Sequence, residues 1–66
     1  MRIDEKKLNL LLCDRCMSRR ELAEKSGLSV NSILYATNGK RSMMPQNVGR
    51  LAKVLGVSGS ALIVDE

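Results

Sequence analysis

The 66-residue sequence predicts an all-α fold, a compact bundle of four to five short helices that forms one domain over residues 1–66. Apolar residues recur at intervals of three and four, as they do along one face of a helix, and capping residues and glycines separate the segments. No useful stretch alternates between apolar and polar residues, so strands are not expected. A chain this short buries only about 60% of its unfolded surface, so its core is modest.

The first predicted helix begins after Asp4, whose carboxylate can accept a hydrogen bond from a free backbone N–H of the first turn. Ile3 precedes this cap, and Leu8 follows it at the spacing of a hydrophobic staple. The apolar pattern continues through Leu12. We expect the helix to end near Cys16.

Two further helices are predicted on either side of a tight turn. Ser18 begins a capping-box pattern at the start of the second helix, and Gly27 is expected to end it. Ser29 can cap the third helix. Asn38 and Gly39 can close it because both residues tolerate a positive φ.

A fourth helix is predicted from Pro45, which suits a first turn because its missing N–H would be unpaired there. Apolar residues then recur with helical spacing up to Leu55, and Gly56 is expected to end the helix. Ser58 can cap a last short helix through Leu62.

The C-terminal tail, residues 63–66, can extend the last helix, pair as a strand across a dimer, or fray. Together with the fourth helix it is the candidate dimer surface, because it is more apolar than a small monomer needs. The residues concerned are Met43, Met44, Leu62, Ile63 and Val64.

The charge of the chain is formally +4, with a pI near 9.5, which favours an anionic partner such as nucleic acid or a membrane surface. Residues 1–41 contain nine Lys or Arg and five Asp or Glu, whereas residues 42–66 contain two of each. The basic surface therefore belongs to the first two thirds of the chain. A single Tyr without Trp or Phe is a poor basis for membrane binding.

Catalysis, metals and cofactors are not predicted. The chain has no His, and its CxxC pair, Cys13 and Cys16, has no second ligand pair with which to form a zinc site. These cysteines are expected to be ordinary packing or surface thiols. No catalytic constellation and no small-molecule site are evident, so we expect a protein that is not an enzyme. Without a signal peptide or a long apolar run, it is expected to be cytoplasmic.

The segment of residues 18–38 has the dimensions of a helix-turn-helix unit. The string MSRRELAEKSGLSVNSILYATNGKR, followed by P..V..LAKVLGVS..ALI, resembles the Cro and phage-repressor (Xre-like) family over about residues 8–62. The resemblance implies a lambda-repressor-like DNA-binding domain. It also implies a small transcriptional regulator of bacterial, phage or mobile-element origin, a repressor that binds a near-palindromic operator as a homodimer.

By resemblance, base edges are read from the start and middle of the third helix, at Val30, Asn31, Ser32 and Tyr35. Asn31 can bond adenine bidentately, and Val30 can touch a thymine methyl group. Two alternatives stay open. Tyr35 can serve packing instead, and Val30 with Leu34 can be buried against another subunit or a partner protein.

Phosphate contacts are expected at two places. Arg19 and Arg20 oppose the macrodipole at the start of the second helix, and a docked phosphate would remove that conflict. By resemblance, the turn after the third helix also contacts phosphate. The predicted residues are Ser18, Arg19, Arg20, Asn38, Lys40 and Arg41. The alternative for these cations is simple solvation.

Two departures from the family pattern stand out. Relatives pair an Arg late in the first helix with a Glu late in the third, and here Leu12 and Thr37 take those places. Both partners have changed together, which is energetically tolerable. Cys16 stands where relatives usually have Gly, which puts the geometry of that turn in question.

The competing function is a protein-interaction module, such as an antitoxin or anti-repressor, whose uncharged third helix docks on another protein. Salt distinguishes the two functions, because DNA binding weakens steeply as salt rises.

Overall fold

The computed structural model describes residues 1–38 and 41–64. It contains four α-helices in these ranges, and a 3-10 helix follows them. The α-helices are α1 (Glu5–Asp14), α2 (Arg19–Ser26), α3 (Val30–Thr37) and α4 (Pro45–Leu55), and the 3-10 helix is Gly59–Ala61. The predicted all-α fold is confirmed.

The starts of α1, α2 and α3 are capped as predicted. In α1, α2 and α3 the capping side chain accepts a hydrogen bond from the backbone N–H three residues on, at 3.1 Å for Asp4, 3.0 Å for Ser18 and 3.1 Å for Ser29. Pro45 opens α4. Ser58 precedes the 3-10 helix, but its hydroxyl bonds the Ser60 hydroxyl at 2.7 Å and forms no cap.

The ends of α2 and α4 also follow the prediction, because Gly27 and Gly56 adopt the left-handed conformation with φ of 77° and 71°. Helix α1 ends at Asp14, slightly before the expected Cys16. Cys16 itself has a φ of 49°, so the turn keeps the left-handed geometry that Gly would adopt more easily.

Helix α3 ends where predicted, with Asn38 as its C-cap residue, although Asn38 has a φ of −78° and does not use the positive φ that its type tolerates. The reason is local: the Asn38 N–H donates to the Leu34 carbonyl at 2.9 Å and continues the helical pattern. The other residue of the predicted pair, Gly39, lies outside the described residues.

The core lies where α2 packs against α3 and α4. Leu22, Ile33 and Leu51 are fully buried at its centre. Leu12 and Thr37, the two positions where the resemblance implied an ion pair in relatives, are both buried at 6% exposure. The Thr37 hydroxyl donates to the Leu34 carbonyl at 2.9 Å, so neither position leaves an unpaired charge in the interior.

The tail pairs with the N-terminal segment of the same chain. Ile3 and Ile63 form an isolated antiparallel bridge, flanked by Asp4 N–H to the Leu62 carbonyl at 2.8 Å and Val64 N–H to the Arg2 carbonyl at 3.0 Å. None of the three alternatives for the tail applies to residues 63 and 64, and residues 65 and 66 lie outside the described residues. The backbone groups of residues 63 and 64 are paired within the monomer and are not offered as a strand to a second copy.

The predicted dimer surface also needs correction. Leu62 is 0% exposed and Met43 is 6% exposed, and both belong to the monomer's core. Ile63 and Val64 are half-buried, and Met44 alone of the five is exposed. These residues are apolar mainly because a small chain needs them for its own interior.

Among the described residues, both cysteines are free and exposed. None of the helices there combines the length and the hydropathy needed to cross a bilayer.

Candidate nucleic-acid interface

The outer face of α3 presents apolar and polar side chains to solvent. Val30, Leu34 and Tyr35 are 42%, 38% and 40% exposed, whereas Ile33 and Ala36 are buried at 0% and 2%. The predicted orientation of this helix is confirmed. Residues four apart share a helix face, so Val30 lies in line with Leu34.

The two polar residues predicted to read bases are also exposed. The Ser32 hydroxyl lies 2.8 Å from the Ser29 hydroxyl, which also accepts the Ser32 N–H. This small network ties Ser32 to the cap of its own helix. Asn31 presents an amide whose donor and acceptor match the N6 and N7 atoms of adenine.

A hollow of about 230 Å³ joins α3 to the start of α4. It brings three predicted base-reading residues together with the predicted phosphate contact Arg41. Its walls come from Asn31, Ser32, Tyr35, Ala36, Arg41, Ser42, Met43, Met44 and Asn47. The hollow also contains Ser42 and Asn47, which sequence reasoning missed. The only available signal was that Asn47 follows Pro45 in the first turn of a predicted helix.

Arg41 and Tyr35 are in direct contact. The guanidinium carbon lies 5.5 Å from the centroid of the Tyr35 ring, within the range of a cation–π interaction. The backbone N–H of Arg41 also donates to the backbone carbonyl of Tyr35 at 3.4 Å. A charged group that can bind phosphate is therefore held beside a ring that can contact a base.

Arg19 and Arg20 differ at the start of α2. The Arg19 guanidinium donates to the Asn9 side-chain oxygen at 2.9 Å and lies 3.7 Å from a Glu5 carboxylate oxygen, so it faces α1. Arg20 is exposed. The link from Arg19 to α1 was missed, although Glu5 and Asn9 are four residues apart and so share one face of α1. A phosphate contact by Arg19 must compete with this pairing.

The remaining predicted phosphate residues are Ser18, Asn38 and Lys40. The Ser18 hydroxyl caps α2, and Asn38 caps the end of α3 and is exposed. Lys40 lies outside the described residues. The DNA contacts assigned to all of these residues stay predictions.

Two short helices, α2 and α3, thus meet across a three-residue connection that contains Gly27, and the second of them exposes an uncharged face. This geometry defines the helix-turn-helix class of DNA-binding proteins.

Comparison with known proteins agrees with this class. The profile of the family described as Helix-turn-helix matches residues 11–62. The chain therefore belongs to the Xre/Cro-like helix-turn-helix family. A search of curated proteins finds no match.

Several solved structures share the fold. A variant of hydroxyethylphosphonate dioxygenase matches with a TM-score of 0.82 and 28% identity, over 98% of this chain and 14% of that one. The chain thus spans only a small part of that protein. The restriction-modification controller protein C.AhdI from Aeromonas hydrophila matches with a TM-score of 0.78 and 24% identity, over 86% of each chain. A hypothetical transcription factor, NHTF from Neisseria, matches with a TM-score of 0.74 and 22% identity, over 92% of this chain and 78% of that one.

Proposed function

We propose that this protein is a transcriptional repressor that binds a near-palindromic operator as a homodimer, with α3 in the major groove. The observation that carries the proposal is the hollow between α3 and α4, in which Asn31 and Tyr35 lie beside Arg41. Groups suited to base edges and a group suited to phosphate therefore share one surface.

In this proposal the polar side chains of α3 read bases and the cations around it bind the backbone. Asn31 bonds adenine, while Val30, Ser32 and Tyr35 make further base contacts. Phosphates are bound at the start of α2 and in the turn after α3. The residues concerned are Ser18, Arg19, Arg20, Asn38, Lys40 and Arg41.

A dimer is proposed because one copy makes few phosphate contacts and would bind weakly. Two copies would place their α3 helices about 34 Å apart, one turn of the duplex. A single copy is 27 Å long, which is compatible with that spacing. Of the five residues predicted at the dimer surface, only Met44 is exposed, and Ile63 and Val64 are half-buried. These three residues are the part of that surface that a second copy can still contact.

We propose that the repressor acts in the bacterial cytoplasm, at the nucleoid. Its operator would lie in a bacterial or phage genome. The repressor binds DNA without catalysis, and the proposal requires no cofactor.

The test is fluorescence anisotropy with a random-sequence duplex and with a duplex selected from a random pool, each at several salt concentrations. Asn31→Ala should abolish the preference for the selected duplex, because it removes a base contact. Arg41→Ala should weaken both duplexes about equally, because it removes a phosphate contact. Arg50→Ala is the matched control, since Arg50 is exposed on α4 away from the hollow.

The alternative function is docking of α3 on a protein, which the exposed apolar residues Val30 and Leu34 favour. It predicts that neither duplex binds at low salt and that a partner protein binds with little salt dependence. Binding of both duplexes with a steep salt dependence would contradict it.

A further inference from the structure

The outer face of α3 is unusual for a DNA-reading helix because it carries no charge. The segment of residues 26–38 contains no Lys, Arg, Asp or Glu. Its largest exposed apolar side chains, Val30 and Leu34, are 42% and 38% exposed and lie one turn apart on the same face. An isolated small domain gains nothing from keeping these two side chains in water.

The chemistry of this face selects among the base pairs. Guanine is read most often by Arg or Lys, which bond its O6 and N7 atoms, and α3 offers neither. Asn31 suits adenine, and the thymine paired with adenine carries a C5-methyl group in the same groove. Aliphatic side chains beside Asn31 are suited to that methyl group.

The spacing also fits. Val30 and Leu34 are separated by about 6 Å along the helix axis, and successive base pairs are about 3.4 Å apart. Two such side chains on a helix that follows the groove can therefore contact methyl groups one or two base-pair steps apart.

We propose that Val30 and Leu34 form a methyl-reading strip, and that the operator half-site under α3 is composed of A·T pairs whose thymine methyl groups contact this strip. The inference rests on the proposed DNA-binding function and adds two things to it. It assigns Leu34 as a specificity-determining residue, and it predicts that the half-site consists of A·T pairs. The same methyl group also occurs on 5-methylcytosine, and thymine is the source that Asn31 favours.

The first experiment replaces each thymidine of the selected duplex by deoxyuridine, one position at a time, which removes only the methyl group. Wild-type protein should bind about fourfold more weakly at each contacted position, the equivalent of about 0.8 kcal/mol for one buried methyl. Val30→Ala and Leu34→Ala should each become insensitive to deoxyuridine at one contacted position. Uncontacted positions should show no change in any protein.

The matched control is Leu10→Ala, which truncates a 57% exposed leucine on α1 and should keep the full wild-type sensitivity. All three variants change exposed side chains, so the fold should be retained, and circular dichroism melting curves check this. Sensitivity to deoxyuridine that persists unchanged in both α3 variants would overturn the assignment.

A second comparison separates the two sources of the methyl group. Placing C·G at a contacted position should weaken binding, and 5-methylcytosine there should recover about fourfold over cytosine. Tighter binding of the 5-methylcytosine duplex than of the thymine duplex would overturn thymine as the natural ligand.

The outcome also distinguishes this inference from the proposed function. If the selected duplex is bound and preferred over random DNA but deoxyuridine has no effect at any position, the methyl-reading strip is wrong and the operator model survives. If neither duplex is bound at low salt, both fail.

Discussion

At the scale of single residues, the most unusual feature is Cys16, which has a φ of 49° in the turn between α1 and α2. A residue with a Cβ atom loses roughly 1–2 kcal/mol in the left-handed region, where glycine is comfortable. Cys16 lies in the short connection between the end of α1 at Asp14 and the Ser18 cap of α2.

The first prediction is that Cys16→Gly stabilises the protein by about 0.5–1 kcal/mol, since relief of strain outweighs the extra entropy that glycine gives to the unfolded chain. The gain should appear as a rise in Tm of roughly 2–8 °C under reducing conditions. Cys13→Gly is the control, because Cys13 lies within α1 and glycine there should lower the Tm. A fall in Tm for both variants would show that the turn tolerates cysteine without strain.

At the scale of helices, the pairing of α1 with the start of α2 was not apparent in the sequence. Arg19 bonds Asn9 and lies near Glu5, so the guanidinium ties the two helices together. Its neighbour Arg20 is exposed. Two adjacent arginines that look alike in the sequence thus have different surroundings, because successive residues of a helix point in different directions.

The second prediction separates these arginines. Arg19→Ala should lower the free energy of unfolding by about 0.5–1 kcal/mol, the usual value of a partly exposed polar link, as measured by urea denaturation. Arg20→Ala should leave stability unchanged and reduce the slope of log affinity against log salt by about 0.9 for the selected duplex. If Arg19 also leaves its pairing with α1 to bind phosphate, as proposed, Arg19→Ala should reduce the salt slope as well. An unchanged slope with lowered stability would restrict Arg19 to its link with α1.

At the scale of the whole molecule, residues 2–4 near the N-terminus pair with residues 62–64 near the C-terminus. Ile3 bridges Ile63, and Leu62 is fully buried next to this bridge. The Met43 N–H donates to the Met1 carbonyl at 2.7 Å, so the N-terminal segment also contacts the connection before α4. Closing the core therefore depends on residues that lie far apart in the sequence.

The third prediction is that Leu62→Ala destabilises the protein by about 2–5 kcal/mol, because it leaves a cavity in a small core. Leu10→Ala removes the same atoms from an exposed site on α1 and should change stability by less than about 0.5 kcal/mol. Thermal and urea denaturation of the two variants provide the comparison. Equal stability of both variants would mean that the tail does not belong to the core.

The sequence by itself determined the helices and the inward face of α3. These features depend on interactions between residues three or four apart, such as the Ser18 and Ser29 caps and the burial of Ile33 with Ala36. Local signals of this kind can be read directly from residue types and spacing. The end of α3 at Asn38 was also predicted, although Asn38 keeps a right-handed φ of −78°, because its type permits a left-handed conformation without requiring it.

Only the tertiary structure decided where the remaining apolar and charged groups go. Met43 and Leu62 were expected at a dimer surface and instead complete the core, and Arg19 faces α1. The hollow that joins Asn31 to Asn47 also became apparent only when α3 and α4 were in place. Contacts between distant parts of the chain depend on how the side chains of different helices pack against each other in three dimensions. Residue spacing along the sequence does not specify that packing.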